Sequence, residues 1–124
     1  MKYLLLIHQN PESFQALSDE EKQAVFADVD TLMSELTASG EWVGGEGLAD
    51  PSTARTVRVR DGVPIVTDGP YAEAKEQMVG YCIVDCDTEE RAVEIAGRWP
   101  DARYWGMEVR AILSPGGDAD GSGM

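Results

Sequence analysis

Apolar residues follow two different periods along the chain, and the changes of period predict the order of its elements. Residues 3–7 form a continuous apolar run, residues 56–60 and 104–113 alternate, and residues 18–39 repeat at helical spacing. The resulting prediction is a strand at 3–7, a helix at 18–39 and a strand at 41–48. The prediction continues with a hairpin at 56–60 and 63–67, a strand at 79–86, a helix that ends at Pro100 and a strand at 104–113.

Local signals at the ends of two elements support this assignment. Ser18 and Glu21 have the spacing of a capping box, and Gly40 suits the end of the long helix. Asp61-Gly62 between two strand patterns indicates a type I′ hairpin turn, and Pro64 places the returning strand at a sheet edge.

The element order predicts an α+β fold of ferredoxin-like topology, which is a doubled split βαβ unit, here with an added hairpin. In this topology the first strand is central and antiparallel to both neighbours, so His8 is expected near Val79 and near residues 105–107. Both helices are expected on one face of the sheet. Because the first strand is apolar on both faces, the other face needs a cover, and we expect a homodimer that packs sheet to sheet.

Length and charge narrow the classes of function. The 124 residues fit one domain, predicted at residues 1–113, with a flexible Gly-, Asp- and Ser-rich tail at 114–124. A net charge of −13 disfavours nucleic-acid and membrane-surface partners. No apolar run reaches the ~20 residues of a membrane span, and no signal-peptide pattern is present, so a cytoplasmic location is expected. Cys82 and Cys86 lie too far apart along one strand to form a disulfide with each other.

The chain resembles the YCII-related superfamily and, within it, the DGPF-domain branch. The matching segments are Lys2–Ile7, Glu46–Leu48, Thr56–Arg58, Thr67–Glu73, Lys75–Gln77, Gly80–Tyr81 and Glu108–Arg110. The chain departs from the family pattern at three positions. Tyr71 stands where the family usually has Phe, Ala74 stands where Thr or Ser is common, and Ala111 stands where Pro is frequent.

This resemblance implies a ferredoxin-like dimer with a pocket beside residues 68–71. In the broader superfamily a histidine–aspartate pair has been suggested as an active site, and one relative is a dehydrochlorinase acting on a chlorinated hydroxylated ring. Members of the DGPF branch are also associated with extracytoplasmic-function sigma factors.

Asp68 and His8 are the candidate catalytic residues. Asp68 precedes Gly69-Pro70, a sequence that either makes a turn or holds a carboxylate at a pocket rim. His8 is the only histidine and ends the predicted central strand, where its imidazole either acts as a base near Asp68 or simply completes the strand end. A single histidine excludes a multi-histidine zinc site within one chain, and we predict neither a metal nor a cofactor.

Five further residues are candidates for ligand binding. Tyr71, Glu73, Lys75 and Glu76 follow Asp68, with Lys75 able to neutralise an anionic ligand and the glutamates able to divide acid and base roles. Arg110 suits a carboxylate ligand. The structural alternatives are a solvated face for the glutamates and an ion pair between Glu108 and Arg110.

Three functions are compatible with these residues. The leading hypothesis is a small-molecule enzyme of acid–base type, such as a lyase or dehalogenase, in which His8 or Asp68 takes the proton. The alternative is a non-catalytic ligand-binding or regulatory module that works beside a sigma factor. The third is a structural dimer that has no deep pocket near Asp68.

Overall fold

The computed structural model describes residues 1–72 and 74–113, which form six strands and four helices. The strands are β1 (Lys2–Gln9), β2 (Trp42–Gly47), β3 (Arg55–Arg60), β4 (Val63–Asp68), β5 (Gln77–Asp85) and β6 (Gly106–Ala111). The helices are α1 (Pro11–Gln15), α2 (Asp19–Ser39), α3 (Glu89–Arg98) and α4 (Asp101–Tyr104), and a 3₁₀ turn spans Pro51–Thr53.

Four strands form one antiparallel sheet in the order β2-β5-β1-β6. The prediction that the first strand is central and antiparallel to both neighbours is confirmed. His8 pairs with Met78 on β5 and with Gly106 on β6, so it lies in the region where the sequence placed it. A register shift between Ile7 and His8 interrupts the pairing with β5 at this end of the sheet.

Both long helices pack on the same face of this sheet. Ser18 and Glu21 form the predicted capping box, and Gly40 ends α2 with φ +81°. The core comprises buried residues of the sheet and of both helices: Tyr3, Leu5, Leu32, Leu36, Cys82, Val84, Cys86, Ala92, Ile95, Ala96 and Trp99. Cys82 and Cys86 are both free thiols, as predicted.

The opposite face of the sheet, which we call the open face, carries a second set of apolar side chains. Leu4 pairs with Ile83, and Leu6 pairs with Tyr81; all four are half-buried. Alternation along the strands directs these side chains away from the helices. They form an apolar patch that neither α2 nor α3 covers.

The hairpin of β3 and β4 forms its own two-stranded sheet. Asp61 and Gly62 both have positive φ, at 51° and 77°, which confirms the predicted type I′ turn. Several of its apolar residues are exposed, among them Val57, Val59 and Val66. The hairpin therefore presents apolar surface to solvent.

Three details differ from the sequence prediction. The short helices α1 and α4 were not predicted, and β6 begins at Gly106 because residues 101–104 are helical. Residues 92–99 carry an apolar pattern at helical spacing that predicts a buried stripe, but Val93 within it is 54% exposed. The predicted flexible tail and Glu73 lie outside the described residues. Within residues 1–72 and 74–113, no helix is both long and apolar enough to cross a membrane.

Candidate functional site

A cavity of about 540 Å³ lies at one end of the sheet, beside the 68–77 segment. We call it the end cleft. Its walls come from His8 and Met78 at the sheet end, from the segment 48–54 after β2, and from parts of the loop 70–77. Residues remote in sequence thus meet here, as expected from the central position of β1.

Hydrogen bonds to β5 and within the segment hold residues 48–54 in place. The Leu48 amide donates to the Val79 carbonyl (2.9 Å), which continues the contact between β2 and β5. The Asp50 carboxylate accepts from the Ser52 amide (2.9 Å) and caps the 3₁₀ turn. This backbone hydrogen bond lowers the pKa of Asp50, so an ionised carboxylate is stabilised in the cleft wall.

The loop that follows β4 is fixed at both ends. Gly69 has φ +103°, a conformation that strongly favours glycine. Its amide donates to the Ala54 carbonyl (2.7 Å), and its carbonyl accepts from the Thr56 hydroxyl (2.9 Å). At the other end, the Gln77 side-chain amide donates to the carbonyl of Ala74 (2.7 Å). Neither Thr56 nor Gln77 was singled out from the sequence for this role.

His8 contributes the imidazole of the end cleft. Its Nε2 lies 3.5 Å from Oε1 of Glu108, and the His8 side chain is 28% exposed. The two side chains extend from neighbouring strands on the open face. The sequence suggested Glu108 as a partner of Arg110, whereas the structure places it beside His8. Glu108 is therefore the carboxylate that can orient the imidazole.

Asp68 is the last residue of β4, and its side chain is 87% exposed. One carboxylate oxygen lies 3.3 Å from Nε of Arg55, its cross-strand neighbour. Tyr71 lines the cleft, but its side chain is largely exposed, and the guanidinium of Arg58 stands 5.2 Å from its ring centre. The structure thus gives Asp68 the partner Arg55 and puts Tyr71 at the mouth of the cleft.

The other candidates are spread over three places. Glu76 lines the end cleft. Lys75 lines a neighbouring depression, together with Glu12 and Asp50. Arg110 stands on β6 opposite Leu4, further along the open face than His8. Glu73 is not among the described residues.

The charges around the end cleft determine what it can bind. Asp50 and Glu76 are carboxylates, and no lysine or arginine is among the described residues that line the cleft. An anion would be repelled here, whereas a neutral polar or cationic group would find hydrogen-bond acceptors.

Within the described part of the chain, no three His, Cys, Asp or Glu residues are grouped closely enough to hold a metal ion.

Comparison with known proteins gives two matches. A family model described as the YCII-related domain matches residues 1–114. An uncharacterised protein of Rhizobium meliloti (strain 1021) is 31% identical over 120 residues, which cover 94% of this chain and 97% of the relative.

Proposed function

The chain belongs to the YCII-related domain family, and we propose that it is a small-molecule enzyme of acid–base type that works in the end cleft. The observation that carries the proposal is the position of His8. Its imidazole lines a cavity of about 540 Å³ and has the Glu108 carboxylate 3.5 Å from one of its nitrogens. A base oriented by a carboxylate next to a ligand-sized cavity is a common arrangement in acid–base catalysis.

The proposed reaction is an elimination. His8 removes a proton from a substrate carbon, the electrons of that C–H bond form a double bond, and the leaving group departs from the adjacent carbon with its bonding pair. Glu108 stabilises the imidazolium that results. Asp50 and Glu76 accept hydrogen bonds from polar groups of a neutral substrate, and Tyr71 lies at the mouth of the cleft. Chloride is one leaving group to test: in the diketo tautomer of a chlorinated hydroquinone, the chlorine-bearing carbon is tetrahedral and adjoins a CH₂ group next to a carbonyl, so that loss of HCl gives a quinone.

Asp68 is the second candidate for the base. The Asp68 carboxylate is exposed to solvent and paired with Arg55. His8 is therefore favoured over Asp68 as the base. We propose that Lys75 and Arg110 act outside the cleft, where Lys75 can meet the part of a ligand that extends into the neighbouring depression. Replacement of each candidate distinguishes these roles.

The test compares His8→Asn, Asp68→Asn and Glu108→Gln with the unchanged protein. Chloride release from chlorinated hydroquinones, which reach the required diketo tautomer, and exchange of substrate C–H for solvent deuterium are the two assays. We expect His8→Asn to lower kcat/KM by about 100-fold or more, the usual contribution of a general base. Glu108→Gln should lower kcat by a smaller factor and alter its pH profile, because it acts through the imidazole.

Glu20→Gln, in the exposed first turn of α2, is the matched control for the glutamate replacement and should leave turnover unchanged. Circular dichroism and thermal unfolding of each variant establish that the fold is intact. Full turnover by folded His8→Asn would contradict the assignment of the base. Loss of turnover in Asp68→Asn alone would transfer that role to Asp68.

A second candidate function is a regulatory module of the DGPF branch that works beside an extracytoplasmic-function sigma factor. The exposed apolar residues of the hairpin favour it, because apolar surface of this kind is typical of protein interfaces. This alternative predicts that the purified chain retains a sigma factor in a pull-down and that Val66→Lys abolishes retention. It also predicts no turnover in either assay.

We further propose that the assembly is a homodimer of ferredoxin-like chains packed through their open faces. Leu4, Leu6, Tyr81 and Ile83 form the central apolar patch that such packing would bury. The end cleft borders this face, since His8 belongs to both. A partner subunit would then narrow the access to the cleft.

A further inference from the structure

A second cavity, of about 310 Å³, lies on the other side of the sheet, between α2 and strands β2 and β5. We call it the inner cavity. Val29 and Met33 of α2 form one wall, and Trp42 and Trp99 form another. No residue lines both this cavity and the end cleft, so its role is independent of the function proposed there.

Two glycines, Gly45 and Gly80, lie where β2 and β5 form the floor of the inner cavity. A Cβ atom on Gly45 would lie 2.7 Å from the Tyr81 carbonyl oxygen, and one on Gly80 would lie 3.0 Å from that of Glu46. A Cβ on Gly45 would overlap with β5, and one on Gly80 would fit only if β2 shifted, so the close approach of the two strands depends on these glycines.

One polar pair lies deep in these mostly apolar walls. Asp101 is only 2% exposed, and its Oδ2 accepts a hydrogen bond from Nε2 of Gln9 at 2.7 Å. Both side chains line the inner cavity. Burial raises the pKa of Asp101, which reflects the cost of a charge at this place.

The polar pair has unused hydrogen-bonding capacity for a ligand. A carboxyl group offers two oxygens and a side-chain amide offers two N–H groups and one oxygen, and the bonds from Gln9 and from the Asp101 backbone amide use only part of this capacity. A ligand hydroxyl can donate to a carboxyl oxygen of Asp101 while its carbon skeleton contacts the tryptophans. An anion would meet Asp101, the rim residue Glu46 and a net charge of −13, and a cation would lose its hydration among apolar walls.

From this geometry we propose that the inner cavity is a second binding site, which takes a compact, uncharged, mainly apolar molecule whose single hydroxyl group is bound by Asp101 and Gln9. The volume is at the lower end of the range for small-molecule sites, about 300–1,000 Å³. A peptide or a helix is too large for it. The ligand is therefore a ring or short chain with one polar group.

Benzyl alcohol, toluene and benzoate are the probes that test this proposal. They share one ring and differ in carrying a hydroxyl, no polar group or a negative charge. Binding is followed by the ¹⁵N-NMR signals of the three indole N–H groups. Trp42 and Trp99 line the cavity, whereas Trp105 does not; its indole donates to the Ser13 hydroxyl, and its backbone amide donates to the Asp101 carbonyl. The Trp105 signal should therefore respond less than the other two.

We expect benzyl alcohol to shift the signals of Trp42 and Trp99 saturably and the Trp105 signal by a smaller amount. Toluene should bind about fivefold more weakly, the effect of one net hydrogen bond, and benzoate should not bind. Absence of any shift with benzyl alcohol would overturn the proposal. Equal shifts of all three tryptophans would also overturn it, because they indicate non-specific association.

Two pairs of variants complete the test. Val29→Phe fills the inner cavity and should lower the affinity for benzyl alcohol about tenfold. Val93→Phe is the same change on the exposed face of α3 and should leave that affinity unchanged. Asp101→Leu should make benzyl alcohol and toluene bind alike; if it does not fold, Asp101→Asn should reduce their difference. An unchanged preference for the alcohol in a folded Asp101 variant would contradict the role of the polar pair.

Discussion

Glu41 and Arg91 join the start of β2 to α3 through two parallel hydrogen bonds. Nε of Arg91 donates to one carboxylate oxygen of Glu41 and Nη2 to the other, both at 2.8 Å. These bonds from the guanidinium hold the pKa of Glu41 at about 2, well below its ordinary value of 4.5. A bidentate pair of this kind fixes geometry as well as charge.

We predict that Glu41→Gln lowers the free energy of unfolding by about 1.5–3 kcal/mol at pH 7, the range for hydrogen bonds to charged groups. Because the folded pKa is depressed, the contribution is complete above about pH 4.5 and is lost as the pH falls towards 2. Urea unfolding of both proteins at pH 7 and pH 2.5 measures the difference.

Glu94→Gln is the matched control for Glu41→Gln, since Glu94 also contacts Arg91 but its side chain is much more exposed. Its effect should be below 1 kcal/mol at either pH. A loss of stability in Glu41→Gln that is equal at pH 7 and pH 2.5 would show that the ion pair does not cause it.

At the residue level, the sequence predicts positions in the fold better than partners. It placed His8 at the end of a central strand, because strand order follows from the alternation of elements. It did not identify Glu108 as the neighbour of His8. That contact depends on the strand register, in which Leu6 pairs with Glu108 and the side chain of His8 reaches diagonally.

The loop after β4 is attached to the start of β3 by one buried hydroxyl. Thr56 is the buried polar residue of the hairpin, and its hydroxyl donates to the Gly69 carbonyl. The cross-strand partner Thr67 is exposed, and its hydroxyl makes a longer bond, of 3.4 Å, to the Thr56 carbonyl. The two threonines therefore form a natural pair for comparison.

We predict that Thr56→Val destabilises the protein by about 1 kcal/mol, because the Gly69 carbonyl loses its donor in a partly buried place. Thr67→Val should change the free energy of unfolding by less than about 0.5 kcal/mol. Urea unfolding measures both, and hydrogen exchange of the Gly69 amide should accelerate in Thr56→Val. Equal effects of the two substitutions would contradict the attachment of the loop through Thr56.

Elements with strong local signals were predictable, and the short ones were not. The capping box of α2 and the Asp61-Gly62 turn act within a few residues, so their sequence patterns suffice. Helices α1 and α4 have only five and four residues, too few for a periodic pattern. The side chain of Asn10 caps α1 and Pro11 follows it, a pair of residues that is equally typical of a turn.

At the scale of the whole molecule, the sheet separates two possible sites. The end cleft opens at the edge of the open face, and the inner cavity lies under α2 on the other face. The sequence predicted the end cleft from the positions of His8 and the 68–77 segment. It did not lead to the second, because cavity space depends on how closely β2 and β5 pack, which only three-dimensional geometry defines.

The apolar patch on the open face leads to a prediction about assembly. We expect the chain to sediment as a dimer at micromolar concentration, because burying Leu4, Leu6, Tyr81 and Ile83 against a second copy removes contiguous apolar surface from water. Ile83→Lys places a charge in the centre of that patch and should shift the equilibrium towards monomer. Analytical ultracentrifugation over a range of concentrations measures the shift.

Val93→Lys is the control for Ile83→Lys, since Val93 lies on the exposed surface of α3, on the helix side of the sheet. It should leave the dimer unchanged. If the unchanged protein sediments as a monomer, the open face has no second copy on it. If both lysine variants dissociate equally, the contact does not centre on the patch. Dissociation by Ile83→Lys alone would place a partner subunit on the open face, the face to which His8 also belongs.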